Sequence, residues 1–139
     1  MSRRTRACDE AVTAGRLLKA EQFLEAAETA RDFADDELDV ADAYVTLCVH
    51  AGIAAADVIC CVSLGMHALG ESHSEALALL ESVRPDGSEL AKSLRNLLGM
   101  KTRAGYAAEP VAAQDRKRAQ RQTERLVRAA RDRSTARCR

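Results

Sequence analysis

The sequence predicts an all-α fold, an antiparallel up-and-down four-helix bundle with one additional helix. Hydrophobic residues make up 47% of the 139 residues but aromatics only 3%, and this alanine- and leucine-rich mix favours helices over sheets. Two prolines and seven glycines leave little material for long loops. The length suits one domain, and we expect it to have a core over about 8–133 and a frayed tail at 134–139.

The first two helices are predicted at about 8–33 and 40–68. In the first, apolar side chains recur on one side at helical spacing while glutamates lie outside. The acidic run DDELD (35–39) makes the turn and enriches the next N-terminus in carboxylates, as the helix dipole prefers. Gly65 and Gly70 bracket the end of the second helix and are typical of a C-cap.

The second helix is also long and apolar enough to resemble a membrane span. Asp57 lies inside this segment and would cost about 2.5–3.5 kcal/mol near the centre of a bilayer. Several carboxylates precede the segment directly, and its small residues are only weakly hydrophobic. We therefore predict a buried central helix and no membrane contact.

A capping box, Ser72 with Glu75, predicts the start of the third helix. The turn RPDG (84–87) follows, and in it we expect Gly87 to take the left-handed conformation.

The fourth helix is predicted to be capped by Ser88 and to end at Gly99, before a short irregular or helical connector, MKTRAGYAAE (100–109). Pro110 suits the first position of a fifth helix over about 110–133.

The charge is zero overall but differs sharply along the chain. Residues 1–100 carry nine Lys/Arg against seventeen Asp/Glu, and residues 101–139 carry twelve against four. Such a dipolar domain can fold its basic helix over its acidic ones, or offer that helix to an anionic partner.

The fifth helix concentrates the basic side chains on one side. They can contact nucleic-acid phosphates or form an ordinary solvated face, and no aromatic residue lies between them to stack on bases. The candidate nucleic-acid contacts are Lys117, Arg118, Arg121, Arg125 and Arg128.

Five cysteines, at positions 8, 48, 60, 61 and 138, show no metal-ligand spacing. Their odd number favours free thiols in a reducing cytosol, so we predict a cytoplasmic protein. The histidines and carboxylates show no metal-binding pattern either, and we predict no metal and no cofactor.

Asp57 lies among apolar residues, so its carboxylate needs a cation or a proton. The expected partners are Lys101, Arg103 or His73. His73, in the first turn of the third helix, can also help to hold an anion. Two interpretations stay open: a buried ion pair that fixes the helix register, or a binding site.

Four segments together resemble actinobacterial HEPN-domain proteins. They are HAGIAAADVICCVSLG (50–65), GESHSEALALLESV (70–83), LRNLLGMKTRAGY (94–106) and TERLVRAA (123–130). The resemblance, which runs over about 20–131, implies a helical bundle that is often dimeric, in a superfamily linked to RNA and nucleotide chemistry. Many members are ribonuclease toxins or partners of a nucleotidyltransferase.

The catalytic HEPN motif is an arginine followed, after four to six residues, by a histidine. Arg103 occupies a plausible arginine position, but Ala108, Glu109 and Pro110 stand where the histidine is needed, and no histidine follows. The resemblance therefore implies a domain without the usual RNA cleavage. Lys101, Arg103 and Tyr106 match a related K-x-R-x-x-Y pattern, and Asp57 and His73 match the other polar positions of this subgroup.

We therefore predict a polar ligand pocket with KTRAGY (101–106) on one wall and Asp57 and His73 opposite. The leading hypothesis is a non-catalytic homodimer that binds a nucleotide, RNA or a protein partner. One alternative is a divergent ribonuclease in which His73 acts with Arg103 or Lys101. Another is an antitoxin-like protein-interaction module.

Overall fold

The computed structural model describes residues 4–69 and 73–137 and confirms the all-α prediction. Within these ranges the chain forms five α-helices, one short 3-10 turn at Glu37–Val40 and a small two-stranded ribbon. The helices are α1 (Glu10–Phe33), α2 (Ala41–Leu64), α3 (His73–Glu81), α4 (Gly87–Gly105) and α5 (Ala113–Arg137). The strands are β1 (Thr5–Ala7) and β2 (Met66–Ala68).

Polar contacts between the helix ends give the direction of each long helix. The backbone N–H of Val111, just before α5, donates to the Asp42 carboxylate at the start of α2, and Arg133 reaches Ser63 at its end. α2 and α5 therefore run parallel. Arg133 also donates to the backbone carbonyl of Pro85, just before α4, so α4 runs the opposite way. α1 is antiparallel to α2, which completes an up-and-down bundle with α3 as the additional helix.

α2 is the central helix and packs against α1, α4 and α5. It is long and apolar enough to cross a membrane by length and composition alone, but 67% of its most apolar window is buried inside the bundle. Burial of this kind is typical of a core helix. The largest fully buried side chains come from several elements and are Tyr44, Val45, Val49, Val58, Ile59, Leu80, Val83, Leu94, Leu97, Thr123, Leu126 and Val127.

The second helix ends four residues earlier than predicted. Gly65 takes the left-handed conformation at φ 76°, its N–H bonds to the Cys61 carbonyl, and the chain leaves the helix there. Residues Met66–Ala68 then pair antiparallel with Thr5–Ala7. Strands of three residues are too short to show alternating hydrophobicity, so the sequence offered no signal for this ribbon.

At the RPDG turn the left-handed residue is Asp86, with φ 69°, and not Gly87 as predicted. Gly87 instead begins α4 and lies so close to α3 that a Cβ there would be 2.7 Å from the carbonyl oxygens of Leu80 and Glu81. Glycine is thus needed for close approach. Ser88 lies inside the first turn of α4 rather than at its cap. The predicted capping box depends on Ser72, which falls outside the described residues.

α4 continues six residues past Gly99, so the predicted connector is helical through Gly105. Met100 is buried in the bundle, and its packing outweighs the stop signal of Gly99. α5 begins three residues after Pro110 and runs to Arg137, so most of the predicted frayed tail is helix.

Two of the cysteines are joined, which makes the expectation of free thiols wrong for them. Cys8, between β1 and α1, forms a disulfide with Cys61 in the last turn of α2, while Cys48 and Cys60 are free and buried. The pair is 53 residues apart and meets only because α1 and α2 are antiparallel. Cysteine usage therefore no longer supports the predicted cytoplasmic location.

The cysteine pattern predicts the outcome of alkylation. Burial raises the pKa of the Cys48 and Cys60 thiols to about 12, so neither is a thiolate at pH 8. We expect iodoacetamide to leave both unmodified in the native, non-reduced protein and to label them after denaturation. A tryptic map without reductant should contain a linked Cys8–Cys61 peptide, and labelling of Cys8 or Cys61 under these conditions would contradict the disulfide.

Candidate functional site

Asp57 is buried, with 8% of its surface exposed, and its partner is Arg16 of α1. The guanidinium contacts one carboxylate oxygen, Oδ2, twice, through Nη2 at 2.7 Å and Nε at 3.0 Å. The prediction that Asp57 needs a cation is confirmed, but the expected partners Lys101, Arg103 and His73 were wrong. Which residue of α1 faces Asp57 depends on the register between two helices, and periodicity within each helix does not give it.

A cavity of about 350 Å³ opens beside this ion pair, between the ribbon and helices α1, α2 and α3. We call it the ribbon cavity. Its apolar lining is Val12, Ile53, Ala68 and Ala76, and its polar lining is Arg6, Arg16, Asp57, His67 and His73. Asp57 and His73 thus share one cavity, as predicted, whereas Arg6, Arg16 and His67 were missed.

One ring nitrogen of each imidazole in the ribbon cavity has a hydrogen-bond partner, which assigns its role as donor or acceptor. Nδ1 of His67 lies 2.8 Å from the Ala68 carbonyl oxygen, so this nitrogen carries a proton and donates. Nε2 of His73 lies 3.2 Å from Nζ of Lys101. An ammonium only donates, so this Nε2 accepts, and Lys101 adds a positive charge behind the ring.

Arg103 and Tyr106 lie elsewhere, and the predicted single pocket for all five residues is wrong. Two residues along an α-helix point about 200° apart, so Lys101 and Arg103 leave α4 on opposite sides. Lys101 faces His73 of α3, whereas Arg103 faces α5. Tyr106 ends α4 with 80% of its surface exposed and does not line the ribbon cavity.

Arg103 contributes instead to a cleft of about 290 Å³ between α4 and the start of α5. Two more arginines, Arg95 of α4 and Arg118 of α5, line the same cleft, with Asp115 as its acidic residue. We call this the arginine cleft. Three guanidinium groups around one carboxylate favour the binding of an anion such as a phosphate group.

The five basic residues predicted on the fifth helix all lie on the exposed side of α5. Opposite them, Ala119, Thr123, Leu126, Val127 and Ala130 are buried against the bundle. Within 4–69 and 73–137, none of the five forms an ion pair with a carboxylate, although Arg125 donates to the Ser93 hydroxyl of α4 at 3.3 Å. These five residues and the arginine cleft form what we call the basic face: Arg95, Arg103, Lys117, Arg118, Arg121, Arg125 and Arg128.

Other basic residues of α5 do fold over the acidic half of the chain. Arg116 is buried and pairs with Glu37 at 2.9 Å, and Arg131 pairs with Glu21 at 3.3 Å. The expectation that the basic helix folds over the acidic half is therefore confirmed for these two residues. The expectation that it is offered to an anionic partner stays a prediction. One side of α5 neutralises acidic groups of the first half, and the other side remains available to an anion.

Among the described residues, no group of three or more His, Cys, Asp or Glu side chains is placed to hold a metal ion. The basic groups that line the two sites are guanidiniums and imidazoles. Such groups bind anions through charge-assisted hydrogen bonds.

Burial raises the pKa of Asp57, while Arg16 and His67 act in the opposite direction. The folded chain therefore binds the proton of Asp57 more tightly than the unfolded chain does. The contribution of Asp57 to stability is therefore complete below the unfolded pKa and declines as the pH rises through the folded value.

This shift predicts a pH dependence that Asp57→Asn removes. The free energy of unfolding of the wild type, measured relative to Asp57→Asn, should fall as the pH rises from about 3.5 to 7, with both proteins unfolded in urea. The other carboxylates cancel in this difference. A difference that grows with pH would mean that Arg16 outweighs burial and lowers the pKa of Asp57.

Comparisons of the chain with models of protein families, with characterised proteins and with solved structures give no match.

Proposed function

We propose that this chain is a non-catalytic, HEPN-like RNA-binding domain whose basic face on α4 and α5 binds the phosphate backbone. One observation carries the proposal: the five basic side chains of α5 are exposed and unpaired with carboxylates within the described ranges, beside a cleft lined by three arginines. Placing so many like charges together costs self-repulsion, which a polyanion relieves.

The dimensions of the basic face suit a nucleic acid. Lys117 and Arg128 are eleven residues apart on α5 and so span about 16 Å along the helix axis. Contacts of this kind release counterions and give binding that weakens with salt and depends little on base sequence. The arginine cleft adds one position where a single phosphate can be held by more than one guanidinium.

The ribonuclease alternative requires His73 with Arg103 or Lys101 around one substrate phosphate. His73 and Arg103 line different cavities, whereas Lys101 lies 3.2 Å from His73. Because Arg103, the residue at the HEPN arginine position, lies away from the His73–Lys101 pair, we propose binding without cleavage.

The proposal includes the homodimer that the HEPN resemblance implies. It is supported by large apolar side chains left exposed near the α1–α2 turn, Phe33 at 86% and Leu38 at 56%. Exposed apolar patches mark protein contacts where several such side chains lie together. Sedimentation equilibrium tests this part, and a chain that stays monomeric at micromolar concentration contradicts it.

The test of function is a gel in which the purified protein is titrated into end-labelled total RNA at low and high salt. We expect a shifted band that is lost at high salt, with RNA of unchanged length. RNA that the wild type shortens and His73→Ala leaves intact would contradict the proposal and support the ribonuclease alternative. The absence of both a shift and cleavage would contradict RNA binding and favour the protein-interaction module.

A further inference from the structure

The ribbon cavity lies apart from the basic face and has the composition of a second site. Its polar groups come from five elements: Arg6 from β1, Arg16 from α1, Asp57 from α2, His67 from β2 and His73 from α3. A volume of about 350 Å³ with a few convergent polar groups over an apolar floor is typical of a small-molecule site.

The charges of the ribbon cavity favour an anion. Two guanidinium groups and two imidazoles line it, and the one carboxylate, Asp57, is already paired. Asp57 takes two of the five N–H groups of Arg16, which leaves three donors on a guanidinium held in a fixed orientation. Asp57 is thus a positioning residue for Arg16.

The ribbon brings a second guanidinium to the same opening. Arg6 and His67 are directly opposite each other in the strand register, so their side chains lie on the same face of the ribbon. His73 approaches from α3 with Lys101 behind it. The lining of the cavity thus combines two guanidinium groups with two imidazoles, and the Lys101 ammonium lies next to it.

We propose that the ribbon cavity binds a phosphate monoester, which Arg6 and Arg16 hold by charge-assisted hydrogen bonds with His67 beside them. A terminal phosphate offers three oxygens and up to two negative charges and so matches several donors, whereas a carboxylate offers two oxygens and one charge. A free nucleotide and the phosphorylated end of an RNA both carry this group.

The test is titration calorimetry with inorganic phosphate and adenosine 5′-monophosphate, with adenosine and acetate as controls. We expect the two phosphates to bind and the controls not to. Arg6 is exposed and forms no ion pair within the described ranges, so Arg6→Gln should leave the fold intact while weakening binding at least tenfold. Arg4→Gln, a neighbouring exposed arginine that does not line the cavity, should bind like the wild type.

Two results would overturn the proposal: no binding of either phosphate by the wild type, or binding that Arg6→Gln leaves unchanged. Oligoribonucleotides with a 5′-phosphate or a 5′-hydroxyl show whether the phosphate belongs to a free nucleotide or to the end of an RNA. A preference for the phosphorylated end that Arg6→Gln removes assigns the site to RNA ends. Binding of the mononucleotide without such a preference assigns it to free nucleotides.

The proposed phosphate site in the ribbon cavity and the proposed RNA contact of the basic face can be contradicted independently. Arg6→Gln should still bind hydroxyl-ended RNA, and a variant with the charges of α5 reversed should still bind the mononucleotide. A protein that binds the mononucleotide but no RNA would contradict only the proposed function.

Discussion

Reversing the charges of Arg121 and Arg125 to glutamate is expected to weaken RNA binding by about 10- to 100-fold at low salt. Both side chains lie on the exposed side of α5, in the middle of the basic face. Each substitution removes one phosphate contact and adds repulsion. Fluorescence anisotropy with a labelled RNA of about twenty nucleotides measures the change. The fold should survive because both side chains are exposed and neither is in an ion pair within the described residues. The change at Arg125 removes its 3.3 Å hydrogen bond to Ser93.

The matched control is Lys19→Glu with Arg137→Glu, which changes the net charge equally at exposed positions outside the basic face. We expect it to weaken binding only slightly, through the overall field of the protein. Equal losses in the two double variants would show that net charge alone drives binding. Unchanged binding after substitution of Arg121 and Arg125 would exclude this part of α5 as the contact.

Replacement of Asp57 by alanine should be the most destabilising change at the ribbon cavity. It leaves the Arg16 guanidinium without its carboxylate in a largely buried place, and losing one partner of a buried pair costs about 3–5 kcal/mol. The Arg16 side chain is 28% exposed, and water can partly replace the carboxylate. We therefore expect a loss of about 2 kcal/mol, or a fall of roughly 8 °C in Tm, measured by thermal melts.

The double variant Arg16→Met with Asp57→Leu serves as the comparison. Replacing both members of a buried ion pair by apolar residues of similar size is often neutral or stabilising. We expect this protein to melt close to or above the wild type. An Asp57→Ala variant that melts like the wild type would mean that the pair contributes nothing to the fold. A double variant as unstable as Asp57→Ala would show that another contact at these positions matters.

The sequence predicts the helices well because each helical signal is local. The periodicity of apolar residues in the fifth helix predicts which side packs inward, and the burial of the α5 side that carries Leu126 agrees with it. The exposure of the basic residues of α5 follows from the same periodicity. In α1 the buried residues Thr13, Ala20 and Leu24 lie beside the predicted apolar stripe rather than in it. The acidic turn before α2 and the glycine at its end are local too, although packing of Met100 overrides the signal at Gly99.

The composition of the ribbon cavity was predictable only in part, because it depends on contacts between distant segments. The buried position of Asp57 signals a missing cation, but only the register of α1 against α2 selects Arg16. The same antiparallel packing joins Cys8 to Cys61. The separation of Lys101 from Arg103 follows from helical geometry once the connector is known to be helical rather than irregular.

The salt dependence of RNA binding tests the central claim most directly. The logarithm of the binding constant should fall linearly with the logarithm of the salt concentration, by roughly 0.7 for each phosphate contacted on a single strand. For the basic face we expect a slope of about −3 or steeper, reduced by roughly 1 to 1.5 in the variant with Arg121 and Arg125 replaced by glutamate. A slope near zero, or the same slope in both proteins, would contradict phosphate binding by this face.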